Sequence, residues 1–298
     1  MNINGVHIED TFAEAFGMSA TRLLITALNT NWARHAAVTM TGFATSVIGC
    51  GVEAGIEQDL SPEETPDGRP GVSVLLFGMS SDDLEKQLQK RVGQCVLTCP
   101  TTALFAGIKG DKPLRLGKGL RYFGDGFQIS KQIGGKRFWR VPVMDGEFLI
   151  EDTVDRAKAV GGGNFLILGK TQSQALNAAE TAVSAMRKLP NIVLPFPGGV
   201  VRSGSKVGSK YKGLIASTND AYCPTLLGLT DSKLTPGIGA VMEIVIDGLS
   251  EADVAAAMRA GIEAVCELGS EQGIRAITAG NYGGKLGPFH FHLREIMA

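Results

Sequence analysis

The tetrapeptide Ile8-Glu9-Asp10-Thr11 recurs letter for letter as Ile150-Glu151-Asp152-Thr153. Four residues carry little weight unless the flanking chain repeats as well, and here it does. The branched, apolar run Arg22 to Ala27 reads as a strand after the first copy, and Asn164 to Leu168 takes its place after the second. An Ala-rich stretch over 31–40 faces one over 171–189, where Ala175, Ala178, Ala179, Ala182 and Met186 fall near helical spacing. The Gly-punctuated turns 43–55 and 196–208 follow, and then the strand-like runs Val72 to Phe77 and Met242 to Asp247. Both runs end in a shared Gly-apolar-Ser-x-x-Asp-apolar signature, at Gly78 to Leu84 and at Gly248 to Val254. In it the Gly closes a strand, and the Ser caps a helix whose first turn carries acidic residues against the helix dipole. Helices over 82–96 and 251–268 come next, and strands over 103–108 and 275–279 close the copies.

This order, β-α-β-β-α-β, is the split βαβ or ferredoxin-like unit, with helices on one face of a four-stranded antiparallel sheet. The expected fold class is α+β: two ferredoxin-like lobes from an internal duplication, residues 1–145 and 146–298. Between the repeats, 117–146 reads as a β meander belonging to the first lobe. Its strands are expected at Tyr122-Phe123, Phe127 to Ile129 and Phe138 to Val141, with hairpin signals at Gly134-Gly135 and Asp145-Gly146.

A net charge of −1 argues against nucleic acid or anionic membrane as the main partner. No run of apolar residues is long enough for a membrane span. The first ten residues have neither the basic nor the apolar segment of a signal peptide, so a cytoplasmic protein is expected. The five cysteines are odd in number and scattered, as reduced thiols would be. Cys95-x-x-x-Cys99 lacks the second pair that a zinc site needs, and His290-x-His292 lacks a third ligand. No metal is expected.

Chemistry is sought where the copies differ. Glu243 interrupts the otherwise apolar strand Val241 to Ile246, at the position aligned with Ser73. Such a carboxylate either reaches solvent or an Arg, or lies in a poorly hydrated cleft with a raised pKa, where it can hold or donate a proton near neutrality. Ser203 to Lys212 brings Lys206, Ser209, Lys210 and Lys212 among glycines, where the first copy has no basic residue. It is either a solvated loop or a site for anionic substrate groups. The dense loop Ala216 to Thr225 offers Asn219, Asp220 and Tyr222 to a planar ring and its polar rim. Two further loops, Gly161 to Phe165 and Ala279 to Lys285, share a Gly-Asn-aromatic core; the second supplies Asn281 and Lys285 as candidates for substrate contact. No nucleophile elbow and no Gly-x-Gly-x-x-Gly is present.

Taken together, Ile8 to Phe16, Pro62 to Val72, Phe123 to Gly126, Gly162 to Phe165, Pro195 to Gly199, Ser205 to Lys210, Ser217 to Thr225 and Ala279 to Gly287 resemble the formylmethanofuran:tetrahydromethanopterin N-formyltransferases over nearly the whole chain. The resemblance implies two ferredoxin-like lobes and an oligomer. It implies formyl transfer between the amine of methanofuran and N5 of tetrahydromethanopterin, both as carrier substrates, without a metal or prosthetic group. It also places the family's active-site glutamate on Glu243. The near-neutral charge departs from acidic archaeal members and favours the subunit of a bacterial formyltransferase/hydrolase complex. Two rival readings are a non-catalytic scaffold or cofactor-binding subunit, and a hydrolase using Cys223 or Cys95.

Overall fold

Two long strands, Phe12–Thr26 and Thr153–Gly169, each carry the chain from one folding unit into another. A computed structural model describes residues 1–298, which form a mixed α/β protein with seven α-helices. Packing groups Met1–Gly17 with Val160–Ala298 in one unit and Met18–Ala159 in the other. This division differs from a single cut after residue 145. The reason is local: Val6–Ile8 runs parallel to Ile274–Thr278, with Ile8 opposite Ile277, so the first residues fold with the last.

In the unit Met18–Ala159, the strands lie in the order Ala103–Ala106, Phe12–Thr26, Gly71–Gly78, Glu53–Leu60, each antiparallel to its neighbour. Every residue of Gly71–Gly78 is buried, as its mostly apolar run requires, with Ser73 the one polar side chain in it. The helix Ser81–Arg91 begins on Ser80, whose side chain accepts from Asp83 N at 3.1 Å, and it passes into a wider turn over Val92–Val96. The meander is an antiparallel set of Ile129–Ile133, Lys136–Val143 and Gly146–Glu151. Tyr122 and Phe123, expected in a strand, lie instead in the 3₁₀ turn Arg121–Gly124. There Arg121 stacks over the Tyr122 and Trp139 rings, a contact that replaces strand pairing.

In the other unit the order is Ile274–Thr278, Thr153–Gly169, Ala240–Gly248, Ile192–Val193, again antiparallel throughout. Helices Gln172–Met186 and Glu251–Leu268 cover one face, the latter capped by Ser250 as its motif requires. Along Ala240–Gly248 the strand period of two sends Ala240, Met242, Ile244 and Ile246 into the helix-covered core. Val241 and Glu243 therefore face the opposite side. That side is covered by the irregular segment 202–239, whose Leu234 and Ile238 pack with Tyr222 on Leu166, Leu168 and Val241. Burying each such aliphatic side chain is worth about 1.5–3 kcal/mol, enough to hold an irregular segment down on the sheet. No helix is long and apolar enough to cross a membrane.

Candidate active site

Glu243 sits mid-strand, opposite Leu166 on one side and bridged to Val201 on the other through Val201 N to Glu243 O at 2.7 Å and Glu243 N to Val201 O at 2.9 Å. The backbone is thus locked from both edges, and the side chain is left at the wall of a crevice of about 170 Å³. Glu9, Thr11, Asn164, Lys206, Tyr222 and Tyr282 are among its other walls. A smaller recess of about 30 Å³ adjoins it and shares Glu243, Asn219 and Tyr222. Two larger hollows, about 750 and 650 Å³, lie in the Met18–Ala159 unit, the first mostly apolar and the second lined by Lys136 and Glu151, which are paired at 2.9 Å. The 170 Å³ crevice is the one that Glu243, a carboxyl raised by burial, lines, and it is taken as the candidate site.

The Glu243 carboxylate has no hydrogen-bond or ion partner in the protein, and burial alone raises its pKa from 4.5 to about 7. Between those pH values the folded chain keeps a proton that the unfolded chain has lost. Stability therefore falls as pH rises through this window. Glu243→Gln removes that cost. Thermal melts are expected to show the variant more stable than wild type at pH 8 by about 1–3 kcal/mol, a range discounted for partial exposure, and equal to it at pH 4.

The neighbours are better tied. Burial raises the Tyr282 hydroxyl; a bond to the Ser205 side chain opposes this, and the nearby Glu243 and Glu14 charges add to it. Burial also raises Tyr222, whose hydroxyl meets Thr278 and whose ring lies 5.9 Å from Lys233 Nζ. Asn164, 7% exposed, clamps the loop opposite: Gly280 N donates to its Oδ1 at 2.6 Å, and its Nδ2 donates to Gly280 O at 3.2 Å and Gly162 O at 3.1 Å. The two Gly-Asn-aromatic loops of the sequence are joined by these bonds.

Of the residues singled out from sequence, Glu243, Lys206, Asn219, Tyr222 and Asn281 line the crevice. Asp220 does not; it holds Lys206 Nζ at 2.6 Å, a bond that lowers its own pKa. Pairing of Lys206–Val207 with Ala216–Ser217 makes 208–215 the loop of a hairpin, which takes Ser209 and Lys210 out of the lining. Lys285 is exposed and also outside it. The amide of Asn281 is occupied, donating to Phe12 O at 3.1 Å and Thr11 Oγ1 at 3.3 Å. Asn219, by contrast, keeps its side-chain amide free of protein partners. Glu9, Thr11, Lys233 and Thr278 also line the crevice without having stood out in the sequence, and Asn164, Ser205 and Tyr282 belong to the Gly-rich loops but carried no individual role there. Glu9 and Thr11 belong to the repeated tetrapeptide itself, which served there as a marker of duplication.

Cys223 edges the smaller recess, its Sγ bonded to Asn219 O at 3.4 Å, and no histidine lines either hollow. Cys95 lies in the other unit, where burial pushes its thiol up. His290 and His292 stack on Phe12 at 5.0 and 5.2 Å, and no group of three or more His, Cys, Asp or Glu side chains is placed to hold a metal.

With a proton-holding carboxyl among hydroxyl and amide donors, and no nucleophile-base pair beside it, the crevice suits an acyl-transfer enzyme in which one substrate attacks another directly. Known proteins agree with this class. The family model for formylmethanofuran-tetrahydromethanopterin formyltransferase matches residues 1–143, and that for the proximal lobe of the same enzyme matches 146–296. A formylmethanofuran–tetrahydromethanopterin formyltransferase of Methylococcus capsulatus is 71% identical over the full length of both chains. The formyltransferase/hydrolase complex of Methylorubrum extorquens, solved with methylofuran, contains a chain 56% identical with a TM-score of 0.98, covering 100% of this chain and 99% of that one. The formyltransferase of Methanosarcina barkeri is 48% identical with a TM-score of 0.92, covering 99% and 100%. The chain belongs to the formylmethanofuran–tetrahydromethanopterin formyltransferase family.

Proposed function

We propose that the protein transfers a formyl group between the amine of methanofuran and N5 of tetrahydromethanopterin, with Glu243 moving the proton. The observation that carries the residue assignment is a carboxyl poised near neutrality in a crevice, without a protein partner. As carboxylate it accepts the proton that an attacking amine sheds on bonding to the formyl carbon. As acid it returns that proton to the leaving nitrogen when the tetrahedral adduct collapses, so the step is balanced without a covalent enzyme intermediate. Asn219, with its amide uncommitted, and the Tyr222 and Tyr282 hydroxyls are the donors at hand for the oxyanion. Holding two substrates in one crevice supplies the rest of the acceleration. No prosthetic group takes part in these steps, and both carriers act as substrates.

Lys206 is read as the contact for an anionic substrate group, with Asp220 holding it ready. Lys206→Ala is expected to raise KM for one carrier about tenfold, the value of one charge-assisted hydrogen bond, with kcat changed less. Ser209, Lys210 and Lys285 have no such support, and Asn281 is read as a loop tie.

We read the chain as two ferredoxin-like lobes of a duplicated ancestor, with the evolutionary joint near residue 145. Both units share one strand order. Ser73 stands opposite Leu24 as Glu243 stands opposite Leu166, and Leu104 opposite Ile150 as Ile277 opposite Ile8. At the counterpart position a bulge between Ile56 and Gln58 turns Glu57 onto Ser73 at 2.7 Å and onto Arg22 at 2.6 Å. In this reading that ion pair stands at the position where the other unit carries Glu243. Assembly with other subunits in the cytoplasm is part of the reading; the named complex of the Methylorubrum relative and five free thiols support it. The purified chain, given formylmethanofuran and tetrahydromethanopterin, is expected to exchange the formyl group unaided. Exchange only after partner subunits are added would favour a scaffold instead.

A further inference from the structure

The loop Asn281 to Gly287 contains no helix or strand, yet it walls the crevice beside Glu243. It is wound around a single buried carboxylate, that of Glu14, which is 1% exposed. Oε2 of Glu14 accepts from Tyr282 N at 2.7 Å and Gly284 N at 2.8 Å; Oε1 accepts from Leu286 N at 2.6 Å and Gly287 N at 2.7 Å. Burial by itself raises the pKa of this group, but the four amide donors outweigh burial and hold it at about 2. The backbone is shaped to make the wrap possible. Gly284 takes the left-handed region at φ +70, and a Cβ on Gly287 would come within 2.2 Å of Ala15 O.

We propose that Glu14 is a positioning residue for formyl transfer: its carboxylate is the template for the 281–287 loop, and through Tyr282 N it sets the Tyr282 side chain beside Glu243 and Ser205. The inference rests on the reading of this crevice as the transfer site. Nothing else in the loop supplies the same anchorage. Asn281 ties its first residue to the Thr11–Phe12 backbone, and beyond that point all four inward amides converge on Glu14. A glutamine cannot replace it, since one pair of donors would face a side-chain NH₂. An aspartate keeps both oxygens but falls short by one methylene.

The test is steady-state kinetics on Glu14→Gln, Glu14→Asp, Tyr282→Ala and the double variant Glu14→Gln/Tyr282→Ala, with Glu243→Gln as reference. Misplacing a catalytic neighbour by about 1 Å costs on the order of 100-fold, so Glu14→Gln is expected to lower kcat by about 100-fold with KM within about threefold. Glu14→Asp is expected to recover part of that loss. In the Tyr282→Ala background, Glu14→Gln should cost little more, because both changes remove the same alignment. A merely structural role would give fewer active molecules of normal kcat, and losses that multiply in the double variant. The inference is overturned if Glu14→Gln keeps kcat within about threefold of wild type while Glu243→Gln is inactive. Retained turnover in Glu243→Gln would count against the site reading instead. Hydrogen exchange of the wild-type protein needs no variant: the amides of Tyr282, Gly284, Leu286 and Gly287 should be strongly protected, and free-loop rates there would also overturn it.

Discussion

Glu243→Gln is expected to lower kcat by about 10²–10⁴-fold, the usual contribution of a positioned acid-base group. The substitution is nearly isosteric, and the Glu243 backbone stays bonded to Val201 and paired with Leu166, so the strand has no reason to move. The amide cannot take a proton from the attacking nitrogen or return one to the leaving nitrogen. Both halves of the reaction lose the same group, and the loss should fall on kcat with the KM of both carriers little changed. Combined with the expected gain in stability at pH 8, the variant would be inactive and more robust than wild type, a pairing that separates lost chemistry from lost folding. Circular dichroism, thermal melts and initial rates on one preparation check all three.

Asn164→Leu is the second large effect. The leucine matches the volume but leaves Gly280 N and Gly280 O without the partners they now have at 2.6 and 3.2 Å. Two backbone groups losing hydrogen bonds in a buried setting should cost about 2–4 kcal/mol. For a chain of this length that is a fall in melting temperature of roughly 5–10 °C. Asn164 also lines the crevice, and the loop it clamps leads directly into Asn281 and Tyr282. Activity should therefore drop by more than the folded fraction does. Urea denaturation followed by rate measurements at a temperature where both proteins are fully folded distinguishes the two losses.

What could be read from the sequence follows the range of the forces involved. The helix Glu251–Leu268 and its Ser250 cap are written in adjacent residues, and they fold where the local motif places them. Glu243 was visible because a strand's period of two makes one carboxylate among apolar neighbours stand out, and the structure puts it at the crevice wall. Sequence alone leaves such a carboxylate either solvated or buried with a raised pKa; the 202–239 segment packed on the same sheet face favours burial, and no local pattern encodes that contact. Ser209 and Lys210 look like companions of Lys206 in a linear reading, yet the hairpin register separates them. Glu14 gave no signal at all. In Phe12 to Phe16 it reads as the polar member of an alternating strand, while its partners lie some 270 residues further along the chain.

The central claim is that the Glu243 carboxyl titrates near neutrality, able both to take up and to release a proton, because the crevice around it is poorly hydrated. An infrared titration of the protonated carboxyl band, assigned by its absence in Glu243→Gln, measures this directly. A midpoint of about 7 is expected. A midpoint at the ordinary glutamate value near 4.3 would mean a fully hydrated carboxylate, too weak a base at neutrality to be tuned for taking and returning the substrate's proton, and would contradict the assignment.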